Sequence, residues 1–363
     1  MAKKLRVGII GTGSIAHAHL HSYLKLADDV KVIGGSDIVP GKARAFFDKN
    51  DLPQAKAFDN NEELLACELD AVSVCTYNST HAACTIAALE AGLNVLCEKP
   101  MSVTLDEAVE MYRAAKKAKK ILTVGFQPRF DPNMDLVRDI VGSGVLGKIY
   151  YIQTGGGRRR GMPGGTFIRR ELAGVGALAD IGCYSLDMVL SAVGYPKPLT
   201  VSACAFDNFG KNPKHSRESD VFDVDDHSVA FIRLEGGIVL DFRISWAMHM
   251  DSMGDTMFFG TDAGLKIKPA AVNHAWSGAW DGTIGPMFLY SDVAGQHCET
   301  PIPLRNPSDD RFLLKVKKFC DAVREKGESP IPTIQSVYNQ AIIDGMFRSS
   351  QLNKEVEIKI PKL

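Results

Sequence analysis

The sequence predicts an α/β protein: a doubly wound parallel sheet in the first third, then an α+β domain with an open, largely antiparallel sheet. Three observations carry this expectation. Short apolar runs alternate with helical spacing up to about Phe126, as in strands buried on both faces between covering helices. After that point strands follow one another without intervening helices. The length, 363 residues, exceeds what one core of about 250 residues supports.

The elements follow in order. Leu5 to Ile10 reads as the first buried strand, and Ser14 to Ala27 as a helix with Ala16, Leu20, Leu24 and Ala27 on one stripe. Val30 to Ser36, Ala71 to Cys75, Asn94 to Cys97 and Ile121 to Gly125 repeat the strand pattern. Thr80 to Ala91, stopped by Gly92, and Thr104 to Ala118, capped by Thr104, are the helices between. Then come a helix over Pro132 to Val141, a strand over Lys148 to Gln153, and a Gly/Arg-rich loop from Gly155 to Arg170. A long helix is expected from about Gly176 to Val193. Thr200 to Phe206, His227 to Leu234 and Ile238 to Trp246 read as strands, the last two around the hairpin signal Glu235-Gly236-Gly237. Met257 to Gly260 and Gly264 to Lys268 form another pair, residues 270–300 carry no readable signature, and Ile334 to Gln351 is a last helix. The expected domains are 1–125, 126–333, and a tail 334–363 whose helix packs back on the first domain.

Composition excludes several classes. Hydrophobic residues make up 45% and charged residues 23%, proportions of a folded globular chain. The net charge of −1 provides no field for nucleic acid or an anionic membrane. No window approaches 18 consecutive apolar residues, and the apolar start is broken at Gly11-Thr12-Gly13, too soon for a signal sequence. The eight cysteines form no C-x-x-C pair and are expected to be reduced and structural, in the cytoplasm.

Gly11-Thr12-Gly13-Ser14-Ile15-Ala16 lies between the first strand and the first helix, the context a dinucleotide fingerprint requires. Gly11 allows the tight turn, Gly13 the approach of a pyrophosphate, and Ala16 close helix–strand packing. Gly11, Gly13, Ser14 and Ile15 are thus expected cofactor contacts. Asp37, about 20 residues on, suits a ribose diol and repels a 2′-phosphate, favouring NAD, although Lys42 and Arg44 close by would tolerate NADP. The other reading of Asp37 is a turn former before Pro40. His17, His19 and His21 lack a third metal ligand and read as solvated or capping histidines; no metal is expected. Glu98-Lys99-Pro100 follows the fifth strand, at the sheet edge where ligands bind. A lysine near a cationic ring has a lowered pKa, which suits proton transfer; a solvated lysine is an equal reading from the residues alone.

GTGSIA at 11–16, CTYNSTH at 75–81, EKP at 98–100, GFQPRF at 125–130, GVLGKI at 144–149 and DIGCYSLD at 180–187 together resemble the glucose-fructose oxidoreductase / inositol dehydrogenase / rhizopine-catabolism (Gfo/Idh/MocA) family. The resemblance implies a Rossmann domain and a second domain whose open sheet builds homodimers or homotetramers. It implies hydride transfer between a sugar or cyclic polyol hydroxyl and NAD or NADP. It assigns Thr76, Asn78, His81, Glu98, Lys99 and Gln127 to the cofactor, and Lys99, Arg129, Asp180 and Tyr184 to the substrate. Lys99, Asp180 and Tyr184 are the catalytic candidates, with the proton going to Lys99 or Tyr184. Tyr77 stands where proline is common, and Tyr184 where most members have histidine. Two relatives' activities remain alternatives: a glycosidase using NAD for transient oxidation, and a non-catalytic nucleotide sensor.

The helical reading places Asp180, Tyr184 and Asp187 on one face, able to hydrogen-bond a polyol. The arginines 158, 159, 160, 169 and 170 suit an acidic sugar, or else pairing with the acidic segment Glu218 to Asp226, the favoured reading.

Overall fold

The computed structural model describes residues 3–251, 253–269, 276–278, 284–306 and 310–363. Within the signature-free stretch 270–300, residues 270–275 and 279–283 thus lie outside the described residues. In chain order the elements are β1 (Leu5–Ile10), α1 (Ser14–Lys25), β2 (Val30–Ser36), α2 (Lys42–Lys49), β3 (Lys56–Phe58), α3 (Asn61–Leu65), β4 (Ala71–Val74), α4 (His81–Glu90), β5 (Asn94–Cys97), α5 (Leu105–Ala118) and β6 (Leu122–Val124). There follow α6 (Pro132–Gly142), β7 (Ile149–Arg158), α7 (Arg170–Ala173), α8 (Cys183–Ala192), β8 (Pro198–Phe206), β9 (His227–Leu234), β10 (Val239–Ser245), β11 (Thr256–Gly260) and β12 (Ala263–Pro269). The chain closes with β13 (Trp276–Gly278), β14 (Ile284–Val293), β15 (Gln296–Ile302), α9 (Arg311–Glu325), α10 (Thr333–Leu352) and β16 (Val356–Glu357).

Two compact units result. The first takes Met1–Gln127, Asp310–Val337 and Pro361–Leu363; the second takes Pro128–Asp309 and Tyr338–Ile360. The last helix, expected to pack back on the first domain, is divided: its first residues belong to the first unit, and from Tyr338 it belongs to the second.

In the first unit six parallel strands run in the order β3-β2-β1-β4-β5-β6. The strand order reverses between β1 and β4, the point where open α/β sheets bind ligands. Val7, Ile9, Val72, Val95 and Leu96 are solvent-free, which is why these strands read as continuous apolar runs. One face buries Leu20 and Tyr23 of α1 with Val316, Phe319 and Cys320 of α9. Helix α9 therefore completes this core from some 200 residues downstream of β6. A full capping box starts α5: the Thr104 hydroxyl accepts from the Glu107 amide, and Glu107 answers at the Thr104 amide.

In the second unit the sheet runs β15-β14-β12-β11-β7-β10-β9-β8-β16, with β13 on β7. Among the described residues every pairing is antiparallel except β7 with β10. Gly155, Gly156 and Gly157, expected in a loop, continue β7. A Cβ on Gly155 would stand 1.9 Å from the Arg243 carbonyl, so glycine here serves the close approach of β10, not a turn. The expected long helix is broken by a π-turn over Leu178–Gly182 before α8. Residues 170–192 are apolar and long enough to cross a membrane by length and composition, but most are buried, as in a core helix.

Candidate active site

The carboxyl edge of the first sheet gathers the expected nucleotide residues. Gly11 turns the chain out of β1 at φ +83°; its amide donates to the Ser36 carbonyl at 2.8 Å, and a Cβ there would meet the Cys75 carbonyl at 2.8 Å. Gly13 caps α1 with no side-chain acceptor, no acid stands in the first turn, and a Cβ on Gly13 would meet nothing within 4 Å. Ser14 and Ile15 open the helix. This open cradle at a positive dipole end fits the pyrophosphate of a dinucleotide.

Asp37 follows β2 beside this turn. Its Oδ2 accepts from the Thr12 amide and hydroxyl, both at 2.9 Å, and Oδ1 from the Val39 amide at 3.1 Å. Burial pushes its pKa up, but these donors and the Lys42 ammonium at 3.0 Å outweigh burial and hold it below the usual range. Lys42 thus sits on Asp37, while Arg44 donates to the carbonyls of Leu52, Pro53 and Ala55. Arg44 is turned to a loop of its own unit.

Thr76 follows β4, and Asn78 opens a 3₁₀ turn, Asn78–Thr80. His81, expected at the cofactor, is 1% exposed; its Nδ1 donates to the Pro100 carbonyl at 2.7 Å, and Nε2 lies 3.3 Å from the Thr76 carbonyl. The ring therefore braces the turn beyond Lys99 against the loop after β4. Burial foremost lowers its pKa, which keeps it neutral.

Glu98, also expected at the cofactor, instead turns its carboxylate into the unit. Oε1 meets His19 Nε2 at 2.8 Å and the Lys315 ammonium, and Oε2 accepts from the Lys99 amide at 3.3 Å. Burial opposes the charged form, but Lys315 and then His19 hold this carboxyl well below the usual range. His19, read as solvated or capping, is fully buried, and its Nδ1 contacts Ser73 Oγ at 2.9 Å. His17 and His21 both contact Asn50 Oδ1. Lys315 was not foreseen: it is 1% exposed on an amphipathic helix whose other lysines are solvated, and only the sheet edge beneath explains it.

In the second unit, Asp180 lies in the π-turn and accepts from the Trp246 indole at 3.0 Å. The i→i+5 turn removes the simple α-helical register assumed for Asp180, Tyr184 and Asp187. Asp187 is not offered to a polyol. Arg129 grips it with two hydrogen bonds, Nε to Oδ2 at 2.8 Å and Nη2 to Oδ1 at 2.7 Å, and the Tyr195 hydroxyl donates to it at 2.9 Å. Arg129, expected at the substrate, is 9% exposed in this pair, and its guanidinium lies 5.3 Å from the Tyr195 ring centre. Tyr184 is buried on α8. Asp225, unassigned from sequence, accepts from the Gly176 and Leu178 amides at 2.6 and 3.0 Å and so fixes the start of this helical segment. Gln127, in a 3₁₀ turn, closes the first unit's opening segment.

The arginine-rich loop meets the acidic segment chiefly through main chain. Arg170 donates its guanidinium to the Asp223 carbonyl and its amide to the Asp223 carboxylate; Glu218 takes the Gly165 amide. Among the described residues no group of three or more His, Cys, Asp or Glu side chains could hold a metal ion.

A doubly wound sheet with an open glycine cradle defines a dinucleotide-binding fold. Comparison with known proteins narrows this. The family model "Oxidoreductase family, NAD-binding Rossmann fold" matches residues 5–126, and "GFO/IDH/MocA C-terminal domain" matches residues 134–266. The chain is 30% identical over 362 residues to D-glucoside 3-dehydrogenase of Escherichia coli (strain K12), covering 98% of this chain and 97% of that one. It is 35% identical over 150 residues to myo-inositol 2-dehydrogenase of Thermotoga maritima, 41% of this chain and 44% of the relative. The fold matches levoglucosan dehydrogenase in complex with NADH at a TM-score of 0.81 and 20% identity, over 98% of this chain and 100% of the other. The chain belongs to the Gfo/Idh/MocA oxidoreductase family, and its first unit carries that family's NAD-binding Rossmann fold.

Proposed function

We propose that this enzyme oxidises a ring hydroxyl of a glycoside, sugar or cyclic polyol with NAD, or runs the reverse reduction. The observation that carries the reading is in the first unit alone. Gly11, Thr76 and Lys99 leave β1, β4 and β5, which are neighbours, at the same edge of one sheet. The full-length likeness to a D-glucoside dehydrogenase makes glycosides the first substrates to try.

NAD, when bound, supplies the hydride acceptor. The chain's residues do the rest. Gly11, Gly13, Ser14 and Ile15 hold the pyrophosphate, Asp37 the adenosine ribose, and Thr76 and Asn78 line the cofactor with Gln127. Lys99 takes the proton of the reacting hydroxyl. Asp180 orients the substrate, and Tyr184 is the second candidate for the proton. Residues 1–125, extended by 310–337, form the cofactor domain, and residues from about 126 the substrate and oligomerisation domain. The open sheet serves a homodimer or homotetramer, and the enzyme works in the cytoplasm without nucleic acid or membrane.

The test is direct. The purified chain is incubated with NAD and a panel of methyl glycosides, aldoses and cyclitols while NADH is followed. NADH is expected with at least one glycoside or cyclitol. Lys99→Ala is expected to keep NAD affinity within about threefold while turnover falls about 10²- to 10⁴-fold. Near-normal turnover in that variant removes Lys99 from the proton transfer.

A further inference from the structure

The first unit buries an ammonium group that neither hydride nor proton transfer uses. Lys315 is 1% exposed, on α9. A buried ammonium persists only beside a partner anion, and that anion is the Glu98 carboxylate. His19 adds its Nε2 to the same oxygen, with Lys315 Nζ 3.2 Å from that nitrogen. On the third side a Cβ on Gly125 would stand 2.8 Å from Glu98 Oε1, so the chain after β6 leaves the carboxylate no slack.

The described hydrogen bonds from His19 run inward. From His19 the cluster passes through Ser73 to the Tyr23 hydroxyl, 2.7 Å from Ser73 Oγ, and Tyr23 is 1% exposed. It ends in the core. What remains is a clamp of one cation, one anion and a neutral ring, on the residue before Lys99.

We propose that Lys315 and His19 are positioning residues: by ion pair and hydrogen bond from two helices they lock Glu98, and so fix where Lys99 leaves β5 and keep the charge beside it balanced. The catalytic consequence rests on the reading of Lys99 as proton acceptor; the placement of Lys99 does not.

The titratable groups around Glu98 are His19, Lys315, Lys99, Cys75, Cys97 and, behind Pro100, His81. In Lys315→Met the cation is gone, and the clamp regains neutrality when His19 binds a proton. In the parent, burial foremost and then Lys315 lower the His19 pKa; without Lys315 that pKa rises relative to the parent, so the variant loses stability relative to the parent as pH rises through the His19 titration. The unbalanced carboxylate also favours the ammonium form of Lys99.

The full chain, Lys315→Met, Lys315→Arg and Lys99→Ala are compared by three measurements. The first is the acetylation rate of Lys99 at pH 8, followed by peptide mass spectrometry. The second is the melting midpoint at pH 6 and pH 8. The third is kcat and KM on the best substrate of the panel, with NAD affinity by calorimetry. In Lys315→Met, acetylation of Lys99 is expected to slow at least threefold, the midpoint to drop further below the parent's at pH 8 than at pH 6, and kcat to drop at least tenfold with NAD affinity within threefold. Lys315→Arg is expected to recover most of each loss. Unchanged acetylation of Lys99, or parallel melting curves, in folded Lys315→Met overturns the proposal. Should that variant not fold, His19→Gln is measured instead, with the same threefold criterion on acetylation. Near-normal turnover in Lys99→Ala would instead defeat the catalytic reading while leaving the acetylation result standing.

Discussion

At the scale of single residues, two buried aspartates of the second unit are held in different ways. Asp187 is 1% exposed and satisfied by Arg129 and Tyr195. Removing one partner strands a buried charge, so Asp187→Ala is expected to cost about 3–5 kcal/mol in urea unfolding. A loss below about 1 kcal/mol would mean that water reaches the pair. Asp226 behaves differently. Its Oδ2 accepts from the Phe209 and Gly210 amides, both at 2.7 Å, yet burial pushes its pKa up to about 6, against those donors. Between the unfolded value, 3.8, and about 6 the folded state keeps a proton the unfolded chain has released. Stability from this group therefore falls as pH rises through that window and the cost stays above it. Relative to the parent, Asp226→Asn should flatten this part of the curve of melting midpoint against pH. Identical slopes would assign the titration elsewhere.

At the scale of elements, the segment carrying Asp180 depends on a carboxylate far away in sequence. Asp225 accepts the first free amides of that segment, from Gly176 and Leu178, along with the Ser228 hydroxyl at 3.0 Å. Unsatisfied helix-start amides are costly when buried. Asp225→Ala is expected to lower stability by about 2 kcal/mol and to reduce turnover through misplacement of Asp180. Full turnover with lowered stability would separate the two effects and leave Asp225 a purely structural cap. Most elements were legible because their signals are local: glycine after β1, the Thr104 cap, and the Glu235-Gly236-Gly237 hairpin signal. β7 extended beyond its expected end because its glycines serve a neighbouring strand, a reason no single-strand pattern carries. The π-turn at Leu178–Gly182 was likewise invisible, since apolar composition is the same for both helical windings.

At the scale of the whole molecule, the first unit is made from both ends of the chain. Val316, Phe319 and Cys320 of α9 lie in its core, and Lys315 balances Glu98. A truncation to residues 1–127 would expose that apolar face and leave Glu98 buried with no lysine. It is expected to lack a cooperative melting transition, as followed by circular dichroism. A cooperative transition near that of the full chain would show that α9 is dispensable.

The residue order alone determined the dinucleotide turn, the parallel sheet, the antiparallel second half and the position of Lys99 at a strand end, because backbone conformation and hydrophobic period are written locally. Only the tertiary structure decided the partners of the charged side chains: His19 and Lys315 on Glu98, Arg129 on Asp187, Asp225 at the start of the Asp180 segment. A buried charge is tolerated where an opposite charge or a set of donors arrives from elsewhere in the chain, and that arrival depends on folding in three dimensions.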